Sequence, residues 1–226
     1  MHQELSAVIF DMDGLMFDTE RLGWQLLNQA GAEYGCSPIS LERYTDGIGK
    51  THTETSKIFS EICGYDYERY RAIERRFWDL DREYIRRVGP PLKPGLLDLL
   101  GTLEQRSVPC ALASSTHHDR VAEHLKAAQL EAFFSVVIGG DQARASKPAP
   151  DIFLEAAEAL GVPAPGCLVL EDSVAGVQAG RNAGMYVIMI PDIVEPAPDI
   201  RALADQVLGS LHDVEALITE GQLRFV

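Results

Sequence analysis

The sequence predicts an α/β fold built on a parallel sheet, with an α-helical insertion near the start of the chain. A short apolar run at residues 5–10 ends in acidic and turn-forming residues, as a buried strand does. Helical periodicity then dominates residues 19–87 and stops at residues 89–95, which contain three prolines and two glycines. From there to about Leu208 strand-like and helix-like segments alternate, and this alternation is typical of a parallel sheet.

Within the insertion, the periodicity predicts three helices. They cover residues 19–34, 53–63 and 65–88, and the chain breaks them at Gly35, Gly64 and residues 89–95. The third helix is strongly amphipathic. We therefore expect residues 17–88 to form a helical domain inserted into a core made of residues 1–16 and 89–226.

Composition limits the function classes that fit this chain. With 226 residues, 46% of them hydrophobic, it can bury one substantial core or a core plus a small second domain. The 20 basic and 34 acidic residues give a net charge of −14, which argues against nucleic acid or an anionic membrane as a partner. We expect a monomer that acts on a small molecule.

Localisation is predicted from the start of the chain and from its cysteines. The first predicted strand leaves no room for a signal peptide, and no apolar run reaches the ~18 residues of a membrane span. The four cysteines are widely spaced, without a Cys-x-x-Cys pair: Cys36, Cys63, Cys110 and Cys167. Free thiols of this kind are typical of a reducing compartment, so we expect a cytoplasmic protein.

Four predicted strands are each followed by residues suited to chemistry. The strands cover residues 5–10, 109–113, 134–138 and 167–170. Behind them come Asp11-Met12-Asp13-Gly14, Ser114-Ser115-Thr116, Ser146-Lys147-Pro148-Ala149-Pro150 and Glu171-Asp172-Ser173. Open α/β sheets bind ligands at the carboxyl ends of their strands. The strand ends thus supply an acid pair, hydroxyls, a lysine and a second acid pair.

Asp11 and Asp13 are the most informative of these residues. Two carboxylates this close repel each other unless a cation or a shared proton offsets their charge. A divalent metal would do so, leaving one carboxylate as a nucleophile and the other as an acid/base. On its own the motif is equally a strand that runs into a solvated Asp-Gly turn. The other three segments favour the catalytic interpretation.

Together the four motifs resemble the haloacid dehalogenase superfamily of phosphohydrolases, over residues 7–191 and in the family's order. The closest resemblance is to the branch that contains β-phosphoglucomutase-like enzymes and sugar-phosphate phosphatases. It implies a Rossmann-like core, a parallel sheet with helices on both faces, plus a small inserted α-helical cap domain that closes over the active site.

The resemblance also implies roles for individual residues. Asp11 resembles the nucleophile that forms an aspartyl-phosphate, and Asp13 resembles the general acid/base. Ser114 matches the phosphate-binding hydroxyl, with Ser115 as a second contact. Lys147 matches the lysine that pairs with the nucleophile and the phosphate.

Glu171 and Asp172 match the acids that complete a Mg²⁺ site. By resemblance Asp172 binds the metal directly, Glu171 binds it directly or through water, Asp11 gives a side-chain oxygen and Asp13 a backbone carbonyl. Such an all-oxygen site suits Mg²⁺. Alternatively, Glu171 and Asp172 serve as the N-cap and acidic first turn of a helix over residues 173–182, a role compatible with metal binding.

In the insertion, residues 46–52 are the expected specificity loop, with Gly47, Lys50 and His52 as substrate contacts. β-Phosphoglucomutases carry a cap histidine at the position of Gly23, and an arginine where this chain has Lys50. Lysine is a weaker phosphate clamp than arginine. A mutase must hold a bisphosphate at both ends, so these differences favour simple hydrolysis.

The sequence therefore predicts a Mg²⁺-dependent phosphatase of a small phosphate monoester, such as a sugar phosphate. A β-phosphoglucomutase-type mutase is the alternative. A catalytically idle copy of the fold, serving as a binding module, is a third hypothesis. It is disfavoured because an idle protein has no chemical need for Asp11, Asp13 and Lys147 together.

Overall fold

The computed structural model describes residues 4–48 and 52–226, and the chain divides into two compact units. One comprises Met1–Asp18 and Leu92–Val226, and the other comprises Thr19–Pro91. The boundaries predicted from the sequence lie after residues 16 and 88, whereas the two compact units divide after residues 18 and 91.

The described residues contain short strands and longer helices, numbered here in chain order. The strands are β1 (Glu4–Leu5), β2 (Ala7–Phe10), β3 (Cys110–Ala113), β4 (Val136–Ile138), β5 (Cys167–Glu171), β6 (Tyr186–Met189), β7 (Gln206–Val207) and β8 (Arg224–Phe225). The helices are α1 (Thr19–Glu33), α2 (Leu41–Thr45), α3 (His52–Ser60), α4 (Tyr67–Val88), α5 (Leu96–Gln105), α6 (His118–Ala128), α7 (Asp151–Leu160), α8 (Val174–Asn182), α9 (Pro198–Arg201) and α10 (Leu211–Thr219). None of the described helices is both long enough and apolar enough to cross a bilayer. All four cysteines are free thiols.

A six-stranded parallel sheet organises the larger unit, in the order β4-β3-β2-β5-β6-β7. The central strand β2 lies between β3 and β5, with Ile9 paired to Ala111 on one side and to Val169 on the other. The apolar run at residues 5–10 was predicted as one strand, and this was wrong at its start. Residues Glu4–Leu5 pair instead with Arg224–Phe225 in a separate two-stranded sheet.

Helices cover both faces of the six-stranded sheet. Val8 and Phe10 of β2 point into one apolar cluster, which α5, α6 and α10 complete. Ala7 and Ile9 point into a second cluster, completed by α7 and α8. Because successive side chains of a strand face opposite sides, a strand buried on both faces must be apolar throughout. This confirms the predicted α/β fold with a parallel sheet between two helical layers.

The smaller unit is helical among its described residues, and α1 and α3 both pack against α4. A bidentate ion pair joins α1 to α4: Arg76 Nε and Nη2 lie 2.6 and 2.9 Å from the carboxylate oxygens of Glu33. The prediction that α4 begins at Tyr65 was wrong by two residues. Tyr65 has a positive φ of 64°, and the side chain of Asp66 caps the helix by accepting from the Arg69 amide.

Candidate active site

The loop after β2 places the first acid pair at the carboxyl edge of the sheet. The Asp11 amide donates to the Leu170 carbonyl at 3.0 Å, as in the strand. The chain then reverses direction, and the amides of Met16 and Phe17 both donate to the Met12 carbonyl. Gly14 makes the turn with φ +82°, and a Cβ there would lie 2.2 Å from Asp172 Oδ2. Only glycine allows this turn to pass so close to the second acid pair.

Lys147 bridges the two acid pairs. Its Nζ donates to Asp11 Oδ1 at 2.5 Å, to Glu171 Oε1 at 2.6 Å and to the Ala113 carbonyl at 3.1 Å. The ammonium also lies 4.7 Å from the ring centre of Phe153. The side chain is only 4% exposed, so its charge is hardly screened by water. The lysine therefore supplies the positive charge that keeps Asp11 and Glu171 together.

Glu171 is fully buried and held by the start of α8. Its Oε2 accepts from the amides of Asp172 and Ser173 at 3.0 and 2.9 Å, and from Ser173 Oγ at 3.0 Å. A Cβ on Gly176 would lie 1.7 Å from Glu171 Oε1, so the helix approaches the carboxylate too closely for any side chain. These contacts correct the N-cap alternative, because Ser173, which accepts from the Gly176 amide, is the cap.

Electrostatics in this cluster favour an additional cation. Burial raises the pKa of Asp11 to about 8, with Glu171 and Asp13 adding to the shift and Lys147 opposing it. Burial also raises the pKa of Asp172 well above its usual value, helped by Glu171 and Asp11. Burial alone would lower the pKa of Lys147, but the carboxylates of Asp11 and Glu171 raise it above the usual range. One lysine does not neutralise three carboxylates.

Three of these carboxylates could hold a metal ion. One oxygen each from Asp11, Glu171 and Asp172 lie within 4.8 Å of one another. Carboxylate oxygens are the ligands that Mg²⁺ prefers, and Mg²⁺ needs only one or two of them beside water and substrate phosphate. Both oxygens of Glu171 already accept hydrogen bonds, whereas no hydrogen bond from another described residue competes for the Asp172 carboxylate. The donor set therefore fits Mg²⁺.

The side chain of Asp13 lies outside that group of three and has its own partner. Thr116 Oγ1 donates to Asp13 Oδ2 at 2.7 Å. Ser114 is buried and its Oγ accepts from the Thr116 amide at 3.1 Å, while Ser115 is exposed. The sequence analysis did not assign Thr116 a role. Its position as the third hydroxyl of Ser114-Ser115-Thr116 at a strand end was the available signal.

The predicted contacts in the helical unit are described only in part. Lys50 lies outside the described residues, and so does the side chain of His52. Gly47 is buried, and a Cβ on it would lie 2.7 Å from Phe59 Cζ. At Gly23, a Cβ would lie 2.5 Å from the Tyr44 hydroxyl, so Tyr44 fills the space that a side chain at position 23 would need.

The helical unit also contains a cavity of about 210 Å³. Among the residues that the structure describes, most of the lining side chains are aromatic or aliphatic, and none of them is a lysine or arginine: Leu27, Tyr44, Thr55, Phe59, Tyr70, Glu74, Phe77 and Trp78. Tyr44 and Phe59 stack face to face, with their ring centres 5.3 Å apart. This lining suits an apolar group better than a phosphate.

Comparison with known proteins identifies the family. The sequence model of the haloacid dehalogenase-like hydrolase family matches residues 8–190 of this chain. The chain therefore belongs to the haloacid dehalogenase-like hydrolase family, as the four motifs predicted.

Individual relatives are similar over nearly the whole chain. The chain is 35% identical over 220 residues to the probable pseudouridine-5′-phosphatase of Drosophila melanogaster, covering 93% of this chain and 92% of that protein. It is 30% identical over 224 residues to the phosphorylated carbohydrates phosphatase of Thermotoga maritima, and the match covers 98% of this chain and 94% of that protein. A crystal structure of a haloacid dehalogenase family hydrolase from Deinococcus radiodurans, with bound phosphate and sodium, gives a TM-score of 0.78 at 25% identity and covers 99% and 100%.

Other relatives are larger proteins. The chain spans 18% and 54% of the length of two Arabidopsis thaliana relatives, to each of which it is 32% identical.

Proposed function

We propose that this protein is a Mg²⁺-dependent phosphatase that hydrolyses a small phosphate monoester through an aspartyl-phosphate on Asp11. The observation that carries the proposal is the bridge from Lys147 Nζ to Asp11 and Glu171, at 2.5 and 2.6 Å. A buried lysine held between two carboxylates opposes the effect of burial on the pKa of Asp11 and so favours the ionised form that acts as nucleophile. The names of the Drosophila and Thermotoga relatives support the same reaction class.

In the first half of this reaction, an Asp11 carboxylate oxygen attacks phosphorus and the bond from phosphorus to the ester oxygen breaks. Asp13 gives its proton to that leaving oxygen, so the organic product departs as an alcohol. In the second half, Asp13 takes a proton from water, whose oxygen attacks the phosphorus of the aspartyl-phosphate. Inorganic phosphate leaves and the Asp11 carboxylate is restored.

The remaining residues bind and orient the phosphoryl group. Lys147 offsets its negative charge, and Ser114 and Ser115 stay the predicted phosphate contacts. Asp11, Asp172 and the Asp13 carbonyl would hold Mg²⁺ directly, with Glu171 acting mainly by fixing Lys147. Bound Mg²⁺ would supply charge stabilisation to the phosphate oxygens.

The hydrogen bond from Thr116 to Asp13 gives a prediction about proton transfer. Thr116→Val keeps the shape but removes the donor, so Asp13 loses the contact that orients it. We expect kcat for p-nitrophenyl phosphate to fall about tenfold, a fraction of what general acid–base catalysis contributes. Thr116→Ser, which keeps the hydroxyl, should retain most of the activity. An unchanged kcat in Thr116→Val would show that Asp13 does not need this contact.

Metal removal gives a second prediction. Exhaustive treatment with EDTA should stop phosphate release, and added Mg²⁺ should restore it. Ca²⁺ should inhibit, because its larger and looser coordination does not hold the reacting groups in place. Phosphate release that survives complete chelation would contradict the metal site at Asp11 and Asp172.

The function is tested by phosphate release from p-nitrophenyl phosphate, followed by a panel of phosphorylated sugars, nucleosides and polyols. The sequence differences from β-phosphoglucomutases at Gly23 and Lys50 support a leaving group without a second phosphate. The mutase alternative is tested by following β-glucose 1-phosphate with catalytic bisphosphate by NMR. Glucose 6-phosphate appearing faster than inorganic phosphate would overturn the proposed hydrolysis.

Three predictions made from the sequence stay predictions. They are the substrate contacts of Lys50 and His52, the cytoplasmic location and the monomeric state.

A further inference from the structure

A second buried ion pair lies in the larger unit, and the reaction described above does not use it. Lys93 Nζ is 2.5 Å from Asp192 Oδ1, and the two side chains are only 13% and 4% exposed. Removing two charges from water costs free energy that their mutual attraction often does not recover. Because hydrophobic residues often stabilise a fold as well as a buried ion pair does, stability alone does not account for this pair.

The position of Asp192 relates it to the second acid pair. The Ile190 amide, just after β6, donates to the Glu171 carbonyl at 2.7 Å. Asp172 and Asp192 thus leave neighbouring parallel strands at the same edge of the sheet. β5 and β6 pair in register as far as Glu171 and Met189, so Asp172 and Asp192 lie one and three residues beyond the same paired position. The two carboxylates are therefore within electrostatic reach of each other.

Lys93 connects the same carboxylate to the loop that carries the first acid pair. The Lys93 amide donates to the Met16 carbonyl at 2.9 Å, and the preceding residue, Leu92, forms a bridge with Phe17. The ion pair thus joins the loop after β2 to the chain after β6. The intervening strand, β5, ends at Glu171, and Asp172 follows directly.

We infer that Lys93 and Asp192 are positioning residues that set the charge around Asp172 and thereby the affinity of the site for Mg²⁺. The negative charge of Asp192 attracts a divalent cation to the site. The positive charge of Lys93 weakens this attraction, and the ion pair keeps the Asp192 side chain from turning towards the metal. The inference rests on the metal site of the proposed function. It makes the two charges act in opposite directions, which a purely structural ion pair would not do.

The test measures Mg²⁺ binding to the metal-free protein by isothermal titration calorimetry. Asp192→Asn leaves the Lys93 charge uncompensated, so we expect the dissociation constant for Mg²⁺ to rise about tenfold, the order expected for one partly screened charge. Lys93→Met removes the positive charge that offsets Asp192 in the ion pair, so the dissociation constant should fall by about the same factor. The double variant should return to within about threefold of the unmodified protein, because the two charge effects cancel.

Two comparisons separate this role from a structural one. Lys93→Arg keeps the charge and should keep the unmodified affinity, and Lys93→Gln replaces Lys93→Met as the neutral variant if the latter does not fold. Arg181→Met is the matched control. Arg181 forms an ion pair with Asp205, with Nη1 2.7 Å from Oδ2, and this pair is separate from the two acid pairs. Mg²⁺ binding to this variant should not change. Weaker binding in both single variants, or no change in either, would overturn the inference. Opposite shifts in Mg²⁺ affinity without phosphate release would support it and contradict the phosphatase instead.

Discussion

Asp11→Asn is expected to abolish turnover while leaving the fold intact. An amide is not a competent nucleophile, so kcat should fall by at least about a thousandfold, into the range seen when a nucleophile is removed. Asn can still accept a hydrogen bond from Lys147, and the substitution removes one of the carboxylates that crowd each other at the sheet edge. The melting temperature of the metal-free protein should therefore hold or rise. Steady-state kinetics and thermal unfolding measure the two effects.

Asp119→Asn is the matched control for this variant. Asp119 is exposed in the first turn of α6, so the same chemical change should leave both activity and melting temperature close to those of the unmodified protein. Steady-state hydrolysis by purified Asp11→Asn, above trace contamination, would remove Asp11 from the nucleophile role. A large drop in its melting temperature would contradict the account of charge crowding.

Lys147→Met should have the opposite effect on stability. Methionine keeps the apolar stem beside Phe153 but removes the charge that holds Asp11 and Glu171. Breaking a buried ion pair in this way is expected to lower the free energy of unfolding by about 3–5 kcal/mol. Turnover should also be lost. Urea unfolding of the metal-free protein measures the first effect, and added Mg²⁺ should recover part of it by replacing the missing charge.

The double variant Asp11→Asn/Lys147→Met tests whether charge explains this loss. Removing Asp11 takes away one of the carboxylates that Lys147 neutralises, so Asp11→Asn should stabilise the Lys147→Met protein by more than it stabilises the unmodified protein. Stability changes that simply add would show that the two side chains do not interact. Lys126→Met, at an exposed position in the last turn of α6, should leave stability nearly unchanged.

Much of the fold could be predicted because local patterns and burial agree. The run Ala7–Phe10 is apolar throughout because β2 is buried on both faces, and the same holds for β3 and for residues 167–170 of β5. Gly35 and Gly64 have positive φ angles at the ends of two predicted helical segments, where glycine costs least. Strand order then brings distant motifs to one edge, since β3 and β5 flank β2.

The rest depends on contacts that sequence spacing does not determine. Thr116 bonds to Asp13 across 103 positions, and Lys93 pairs with Asp192 across 99. Each pair forms only when the sheet has brought separate strand ends together. The separate pairing of Glu4–Leu5 with Arg224–Phe225 is likewise set by the two ends of the described chain. The sequence suggests that Glu171 caps a helix because its neighbours are the only contacts that spacing reveals. Its Oε1 in fact accepts a hydrogen bond from Lys147, which lies on another loop.

Trapping the phosphorylated enzyme tests the central claim most directly. The protein would be mixed with excess substrate and Mg²⁺, quenched in acid within one turnover, and treated with borohydride, which reduces an acyl-phosphate to an alcohol. We expect peptide mass spectrometry to find Asp11, and no other acid, converted to homoserine, and to find no such product from Asp11→Asn. Burst release of phosphate with an unmodified Asp11, or conversion at Asp13 or Asp172 instead, would contradict it.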